Sequence, residues 1–473
     1  MASTTALPKR VALHRNPTTT DTASSVSNSP SPLDSPRQSP SSTSLSSMAS
    51  EMEKDNSGGK MLDTYGNEFK IPNYTIKQIR DAIPAHCYER SAVRSLSYVA
   101  RDITVLASVF YVFHNYVTPE TVPNFPARVL LWTLYTVVQG LFGTGVWVLA
   151  HECGHQAFSP SKQLNDTVGW ICHSALLVPY FSWKISHGKH HKATGNIARD
   201  MVFVPKTREE YASRLGKALH ELNELMEETP IMTALNLFGQ QLVGWPMYLF
   251  ANVTGHNNHE NQPEGRGKGK QNGWFTGVNH FNPSSPLYEH KDAKLILLSD
   301  LGLAITGTIL YLIGSKFGWT NLLVWYGIPY LWVNHWLVAI TYLQHTDPTL
   351  PHYQPDAWNF VRGAACTIDR DFGFVGRHIL HGIIETHVLH HYVSTIPFYN
   401  ADEASEAIKG VMGEHYHSDA DSGWLGFFYA LWKSSRICQW VEPTAGTKGE
   451  NHSVLFYRNT NGIGVPPAKL EKQ

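Results

Sequence analysis

His151-Glu-Cys-Gly-His155 and His187-Gly-Lys-His190-His191 are two histidine boxes in one short stretch, and a third, His387-Val-Leu-His390-His391, lies far downstream. On an α-helix, residues three and four positions apart share a face. Each box therefore presents its imidazoles in one direction, as the ligands of a metal ion would lie. A single histidine is more often a surface or core residue, but three such boxes among 25 histidines predict a metal site.

The composition indicates a membrane protein. Charged residues make up 16% of the chain, against about 25% in soluble domains, and aromatic residues make up 12%. The formal net charge is −1, so the chain lacks the excess of positive charge that is typical of nucleic-acid-binding proteins. No nucleic-acid partner is therefore expected. The five cysteines form no Cys-x-x-Cys pair, which argues against a cysteine-based zinc or iron–sulfur site.

Four apolar segments are long enough to cross a hydrocarbon core, which takes about 20 residues. These predicted spans are residues 98–117, 127–150, 295–314 and 322–343. They form two hairpins, so all three boxes emerge on one side of the membrane, and the Lys and Arg residues near the second box predict that this side is cytosolic. The shorter or more polar segments 168–181 and 231–253 are expected to lie at the interface, because a crossing by either would separate the boxes.

The remaining chain falls into three parts. Residues 1–60 are rich in Ser, Thr and Pro and are expected to be a disordered tail. Residues 61–97 form an amphipathic lead-in whose helix is broken at Pro84, and residues 444–473, after the membrane domain of residues 98–443, are expected to be a flexible tail. The predicted fold is an all-α membrane protein with four transmembrane helices and a cytosolic helical cap that carries the histidines.

His345 follows the fourth predicted span and joins the eight box histidines as a candidate ligand. Imidazole suits zinc, copper, iron and nickel. Because a zinc ion takes only three or four protein ligands, nine histidines indicate two ions. Two redox-active irons beside a membrane can activate dioxygen and remove hydrogen from an unactivated carbon chain. Glu152 is expected to orient the imidazoles from outside the ligand set.

The boxes, in this order and hydropathy context, resemble those of the membrane fatty acid desaturase family. Three flanking segments are similar to the Δ12 (oleate) branch, particularly its fungal members. They read Ala-Ile-Pro-Ala-His-Cys-Tyr-Glu-Arg-Ser at 82–91, Phe-Ser-Trp-Lys-Ile-Ser-His at 181–187 and Gln-His-Thr-Asp-Pro-Thr-Leu-Pro-His-Tyr at 344–353. The likeness extends from Met61 to Pro443.

The resemblance implies an O2-dependent acyl-lipid Δ12 desaturase that introduces a second cis double bond into oleoyl chains to give linoleoyl chains. It implies a centre of two Fe2+ ions in the endoplasmic reticulum membrane of a multi-pass protein, with boxes and termini in the cytosol. Electrons would come from NADH through a reductase and a cytochrome b5, which is expected to be a separate protein because no His-Pro-Gly-Gly haem-binding pattern is visible. The implied ligands are His151, His155, His187, His190, His191, His345, His387, His390 and His391.

Several alternatives stay open at this point. A Δ15 (ω3) desaturase, a bifunctional Δ12/Δ15 enzyme and an oleate 12-hydroxylase would share the same boxes, and the acyl carrier is either phosphatidylcholine or coenzyme A. Outside the family, the first box also fits the His-Glu-x-x-His signature of an intramembrane zinc protease, which leaves the other two boxes unused. A metal transporter or sensor would place its histidines along a path through the spans.

Overall fold

The structure is a computed structural model that describes residues 58–213, 230–255 and 277–468. Most of the predicted tail at residues 1–60 therefore lies outside the described residues, as do the last five residues of the chain. Within the described ranges the chain is mostly helical, with a few short strands.

The lead-in segment begins with a capped helix. The side chain of Thr75 accepts a hydrogen bond from the Gln78 amide, and the Gln78 side chain accepts one from the Thr75 amide, so α1 (Ile76–Ala82) starts with a capping box. It ends before Pro84, and a 3-10 turn, Ala85–Tyr88, follows. The predicted helix with a break at Pro84 is confirmed.

Three helices in the described part of the chain are long and apolar enough to cross a membrane. They are α2 (Ala92–Tyr116), α3 (Phe125–Gly154) and α8 (Ala293–Phe317), the last preceded by the 3-10 turn His290–Asp292. Their outer faces carry exposed apolar side chains, among them Leu130 and Leu312. These helices coincide with three of the four predicted spans.

The fourth predicted span, residues 322–343, is helical but irregular. It consists of α9 (Trp319–Leu322), a π-helical turn (Leu323–Gly327) and α10 (Ile328–His345), and it is not among the three helices that meet the length and hydropathy criteria. A polar and buried Asn334 lowers its apolar character. It packs closely on α3 at Gly140, where a larger residue would not fit. A Cβ atom added to Gly140 would lie only 2.2 Å from the Cβ of Trp332.

The two segments expected at the interface form helices of their own. Residues 168–181 are divided between α4 (Lys162–Ala175) and α5 (Tyr180–His191), with Leu177 at a positive φ of 54° in the turn between them. The second segment is α7 (Pro230–Ala251), which contains Pro246. The remaining helices are α6 (Arg208–Ser213), α11 (Phe360–Ala364), α12 (His387–Tyr392), α13 (Ala401–Met412) and α14 (Gly423–Ile437).

Short strands modify the all-α prediction. β1 (Met61–Leu62) pairs with β2 (Glu68–Phe69), and β4 (Ile368–Arg370) runs parallel to β5 (His417–Asp419). A three-stranded antiparallel sheet has the order β3-β7-β6. Its strands are β3 (His352–Tyr353), β6 (Trp440–Pro443) and β7 (Val454–Arg458).

The prediction of a flexible tail from residue 444 is wrong for this part of the chain. β7 is the central strand of its sheet, and all five of its residues are buried. Its Val-Leu-Phe-Tyr run is apolar and has high strand propensity. Packing against the lead-in residues Met61 and Phe69 buries its apolar surface and so stabilises the strand.

Candidate metal centre

The four chain segments that carry the predicted ligands converge at one place. The first box lies at the end of α3, the second at the end of α5, and the third on α12. His345 is the last residue of α10. Spacings of three and four residues put the imidazoles of each box on one helical face. The structure therefore brings all nine predicted histidines together.

Five of these histidines form a first group. They are His151, His155, His187, His191 and His390. Each offers a nitrogen, and these nitrogens all lie within 4.8 Å of one another. The Nε2 atom of His187 is 3.1 Å from Nε2 of His151 and 3.1 Å from Nε2 of His191.

The other four histidines form a second group beside the first. Nitrogens of His190, His345 and His391 lie within 4.8 Å of one another, and His387 joins them because its Nε2 is 3.0 Å from Nε2 of His345. The rings of His191 and His391 stack with centroids 4.1 Å apart and so connect the two groups. Two adjacent groups of imidazoles can hold two metal ions.

Burial favours the neutral form of several of these histidines, which is the form that binds metal ions. Burial lowers the pKa of His187, His191 and His387 well below the usual range, and neighbouring imidazoles lower it further. In addition, the buried Nε2 atoms of His155 and His390 have no hydrogen-bond partner in the described part of the chain. Buried nitrogens without a hydrogen-bond partner fit a cation.

The nitrogen spacing also fits a shared ion. Two ligands about 2.1 Å from one ion and about at right angles to each other lie about 3 Å apart. The closest nitrogen pairs, such as His345 with His387 at 3.0 Å and His345 with His190 at 3.3 Å, have this separation.

Other side chains orient the imidazoles. The Asp200 carboxylate accepts a hydrogen bond from Nδ1 of His190 at 2.5 Å and from the backbone amide of Gly195 at 2.9 Å. The Thr194 hydroxyl lies 3.1 Å from Nδ1 of His391. Sequence reasoning missed Asp200 and Thr194, because only the path of the loop after α5 brings them to the site.

Glu152 does not orient an imidazole as expected. Its Oε1 lies 3.6 Å from Nδ1 of His151, beyond hydrogen-bond distance, while its Oε2 accepts the backbone amide of Phe398 at 3.1 Å. The expectation was wrong because adjacent residues on a helix point about 100° apart.

Two tryptophans stack on the ligand rings. Trp147 stacks on His151 with centroids 5.6 Å apart, and Trp183 stacks on His187 at 4.5 Å. Each tryptophan precedes its histidine by four residues on the same helix. The four-residue spacing that predicts the boxes therefore also predicts that Trp147 and Trp183 lie beside these histidines.

A largely apolar cavity opens against the histidines. Its walls come from α3, α5, α7 and α10, and include Val148, Trp183, Trp245, Leu337 and Val338. Five of the nine histidines also line it: His151, His187, His190, His345 and His387. An apolar cavity that also has a few convergent polar groups in its wall is typical of a ligand site.

Comparison with known proteins identifies the family. A sequence model described as fatty acid desaturase matches residues 127–422, and a domain of unknown function (DUF3474) matches residues 11–110. The chain is 60% identical over 477 residues to an oleate hydroxylase of Claviceps purpurea, with 100% of both chains covered.

Two further relatives are desaturases. The chain is 46% identical to a Δ12 fatty acid desaturase of Mortierella alpina, over 83% of this chain and 93% of that one. It is 42% identical to an ω-6 fatty acid desaturase of Glycine max, endoplasmic reticulum isozyme 1, over 82% of this chain and 91% of that one. The chain therefore belongs to the membrane fatty acid desaturase family, in its fungal Δ12 branch, and is an oxygen-dependent oxidoreductase that acts on fatty acids.

Proposed function

We propose that this protein is a Δ12 desaturase that converts oleoyl chains to linoleoyl chains. The observation that carries the proposal is the cluster of nine histidines, five of which line an apolar cavity. A site of this kind joins metal ligands to a place where an unactivated hydrocarbon chain can lie.

The nine histidines would hold two Fe2+ ions. Imidazole suits iron, and the division into a group of five and a group of four supports one ion in each. When bound, the irons supply the activation of dioxygen and the removal of hydrogen from a methylene group. Asp200 keeps the His190 proton on Nδ1, so that Nε2 faces the cluster.

The cavity would hold the acyl chain. Trp147 and Trp183 lie between its apolar walls and the stacked imidazoles, so they exclude water from the ligands and set how closely a methylene approaches. Since the cavity has fixed walls, the depth to which a chain enters determines which carbon meets the histidines. This supports a defined position of oxidation.

Oleate 12-hydroxylation is the second candidate. It is favoured by the 60% identity to an oleate hydroxylase over the whole chain, which is higher than the 46% identity to the Δ12 desaturases. Both reactions break a first C–H bond at one methylene. Desaturation then breaks a C–H bond on the neighbouring carbon, whereas hydroxylation places oxygen on the first. The same ligand set and cavity serve both reactions.

We place the protein in the endoplasmic reticulum membrane, with residues 322–343 as a fourth span and with histidines and termini in the cytosol. The three helices that are long and apolar enough to cross a membrane support a membrane location. The endoplasmic reticulum is supported by the relative in Glycine max, which is named as an endoplasmic reticulum isozyme. Cytochrome b5 and its NADH-dependent reductase would supply electrons. The acyl carrier would be phosphatidylcholine or coenzyme A.

The test is the fatty acid profile of yeast that lacks polyunsaturated fatty acids and expresses this chain. Gas chromatography with location of the double bond is expected to find linoleate with the wild type and none with His190→Ala. The exposed His452 provides the matched control, and His452→Ala should retain the product. Ricinoleate in place of linoleate would establish the hydroxylase, α-linolenate would indicate Δ15 activity, and no new product would contradict both candidates.

A further inference from the structure

Away from the histidine cluster, three side chains that commonly bind metals converge on the lead-in segment. His86 and Cys87 lie in the 3-10 turn before α2, and Glu403 lies in the first turn of α13. One ligand atom from each lies within 4.8 Å of the other two. Nε2 of His86 is 2.9 Å from the Glu403 carboxylate and 3.7 Å from the sulfur of Cys87.

We propose that His86, Cys87 and Glu403 bind a zinc ion. Thiolate, imidazole and carboxylate are the three side-chain ligands that zinc takes in proteins, and a water molecule would complete a tetrahedron. One thiolate and one carboxylate balance the charge of a divalent cation. The sulfur ligand disfavours magnesium and calcium, which prefer oxygen.

The hydrogen-bonding capacity of these groups supports a cation. A neutral imidazole Nε2 carries either one proton or one lone pair, so His86 makes its good hydrogen bond with Glu403 at 2.9 Å and only a weak contact with the Cys87 sulfur at 3.7 Å. A metal ion accepts a lone pair from all three atoms. On binding, the metal ion would displace the proton of the Cys87 thiol.

The two segments are already fixed against each other. The side-chain amide of Asn400 lies 3.3 Å from the backbone carbonyl oxygen of Cys87 and 3.4 Å from those of His86 and Glu89. The backbone amide of Ser91 donates to the Tyr399 hydroxyl at 2.8 Å. Because these contacts do not use the side chains of the three ligands, they hold the two segments together without the metal.

The proposed zinc site is separate from the histidine cluster but is connected to it by packing. It shares no residue with the nine histidines, and its ligand Glu403 lies on α13, which packs against α12. Since α12 carries the third histidine box, zinc would join the lead-in segment to the helix behind that box. The expected role is therefore to stabilise the position of the third box.

Cobalt substitution tests the site in the full-length protein, purified in detergent. A cysteine thiolate bound to Co2+ gives a sulfur-to-metal charge-transfer band in the near ultraviolet, and the nine-histidine cluster contains no sulfur ligand that would produce it. The wild type is expected to show this band with added Co2+ and to lose it when Zn2+ is added. His190→Ala should retain it, which separates this site from the proposed iron centre.

Variants of the ligands decide the outcome. Cys87→Ser should abolish the band, and Glu403→Gln should weaken Co2+ binding at least tenfold, whereas Cys438→Ser is the matched cysteine control and should retain the band. Glu403 and His86 are exposed, so Glu403→Gln and His86→Asn are expected to fold normally. The proposal is overturned if the wild type shows no band, if the band persists in Cys87→Ser, or if both exposed variants bind Co2+ like the wild type.

Discussion

The carboxylate of Asp200 accepts a hydrogen bond from Nδ1 of His190 at a distance of 2.5 Å, and the opposite nitrogen of the same ring lies 3.3 Å from His345. A carboxylate behind a metal-binding histidine fixes the ring and its tautomer. The Asp200 carboxylate also accepts hydrogen bonds from the backbone amides of Gly195 and Met201, so its own position is fixed by the loop after α5.

Asp200→Asn is expected to lower iron affinity by about 10- to 100-fold, because an amide no longer holds the His190 proton as firmly on Nδ1. Iron content after dialysis against a graded series of chelator concentrations measures this. Asp356→Asn, at an exposed carboxylate bonded to Ser453, is the control and should keep its iron. Equal iron retention in both variants would show that Asp200 does not support a ligand.

The histidine boxes were predictable from sequence because helical spacing alone places residues three and four positions apart on one face. The long apolar helices were predictable for the same local reason. Asp200 was not, since nine residues, most of them outside regular structure, separate it from His190 and nothing in the spacing predicts contact. The turn at Leu177, which divides residues 168–181 between two helices, was also not predictable, because the segment is apolar on both sides of the turn.

A larger side chain in the cavity that we propose for the acyl chain should impair the proposed reaction and leave metal binding unchanged. Val338 lines the cavity and is 7% exposed, so Val338→Phe places a ring where the acyl chain would lie. The ring would displace the acyl chain from the histidines, so conversion of oleoyl chains should fall by about tenfold or more. Product yield and iron content are measured together.

The matched control for this variant is Leu331→Phe. Leu331 is on the same helix but is 39% exposed and is not a cavity residue. It should convert oleoyl chains like the wild type. If Val338→Phe retains full conversion, the cavity against the histidines is not the acyl site.

The buried Arg370 should be necessary for stability near His345. Its guanidinium donates to Asp347 at 2.9 Å and to Asp419 at 2.7 Å, and its Nε donates to the carbonyl oxygen of Leu343. Arg370→Met would leave Asp347 buried without a counter-charge, a change that costs about 3–5 kcal/mol. Thermal unfolding in detergent should therefore occur at a clearly lower temperature than in the wild type.

Arg377→Met provides the comparison for this prediction. The side chain of Arg377 is 44% exposed, and its ion pair with Asp371 at 3.3 Å is screened by solvent, so its loss should change stability by less than about 1 kcal/mol. The double variant Arg370→Met with Asp347→Asn should recover part of the loss, because the unpaired buried charge is removed. Equal destabilisation by the two single arginine variants would refute the role of the buried pair.

His352 should contribute to the loss of stability in acid. Burial in β3 lowers its pKa to about 4, whereas an exposed histidine in the unfolded chain titrates near 6.5. Between about pH 6.5 and 4 the unfolded chain therefore binds one more proton at this residue than the folded chain. The stabilisation is complete above about pH 6.5 and falls as the pH decreases, by about 1.4 kcal/mol per pH unit.

His352→Phe removes this titration and keeps an aromatic ring against Tyr457, which packs edge-on with a centroid distance of 5.1 Å. Its unfolding free energy should depend on pH less steeply than that of the wild type. The difference in slope corresponds to about one proton fewer taken up on unfolding between pH 4.5 and 6.5. The nine clustered histidines contribute to both proteins alike, so their effect cancels in the difference. Identical slopes for wild type and His352→Phe would mean that His352 is protonated to the same extent in both states.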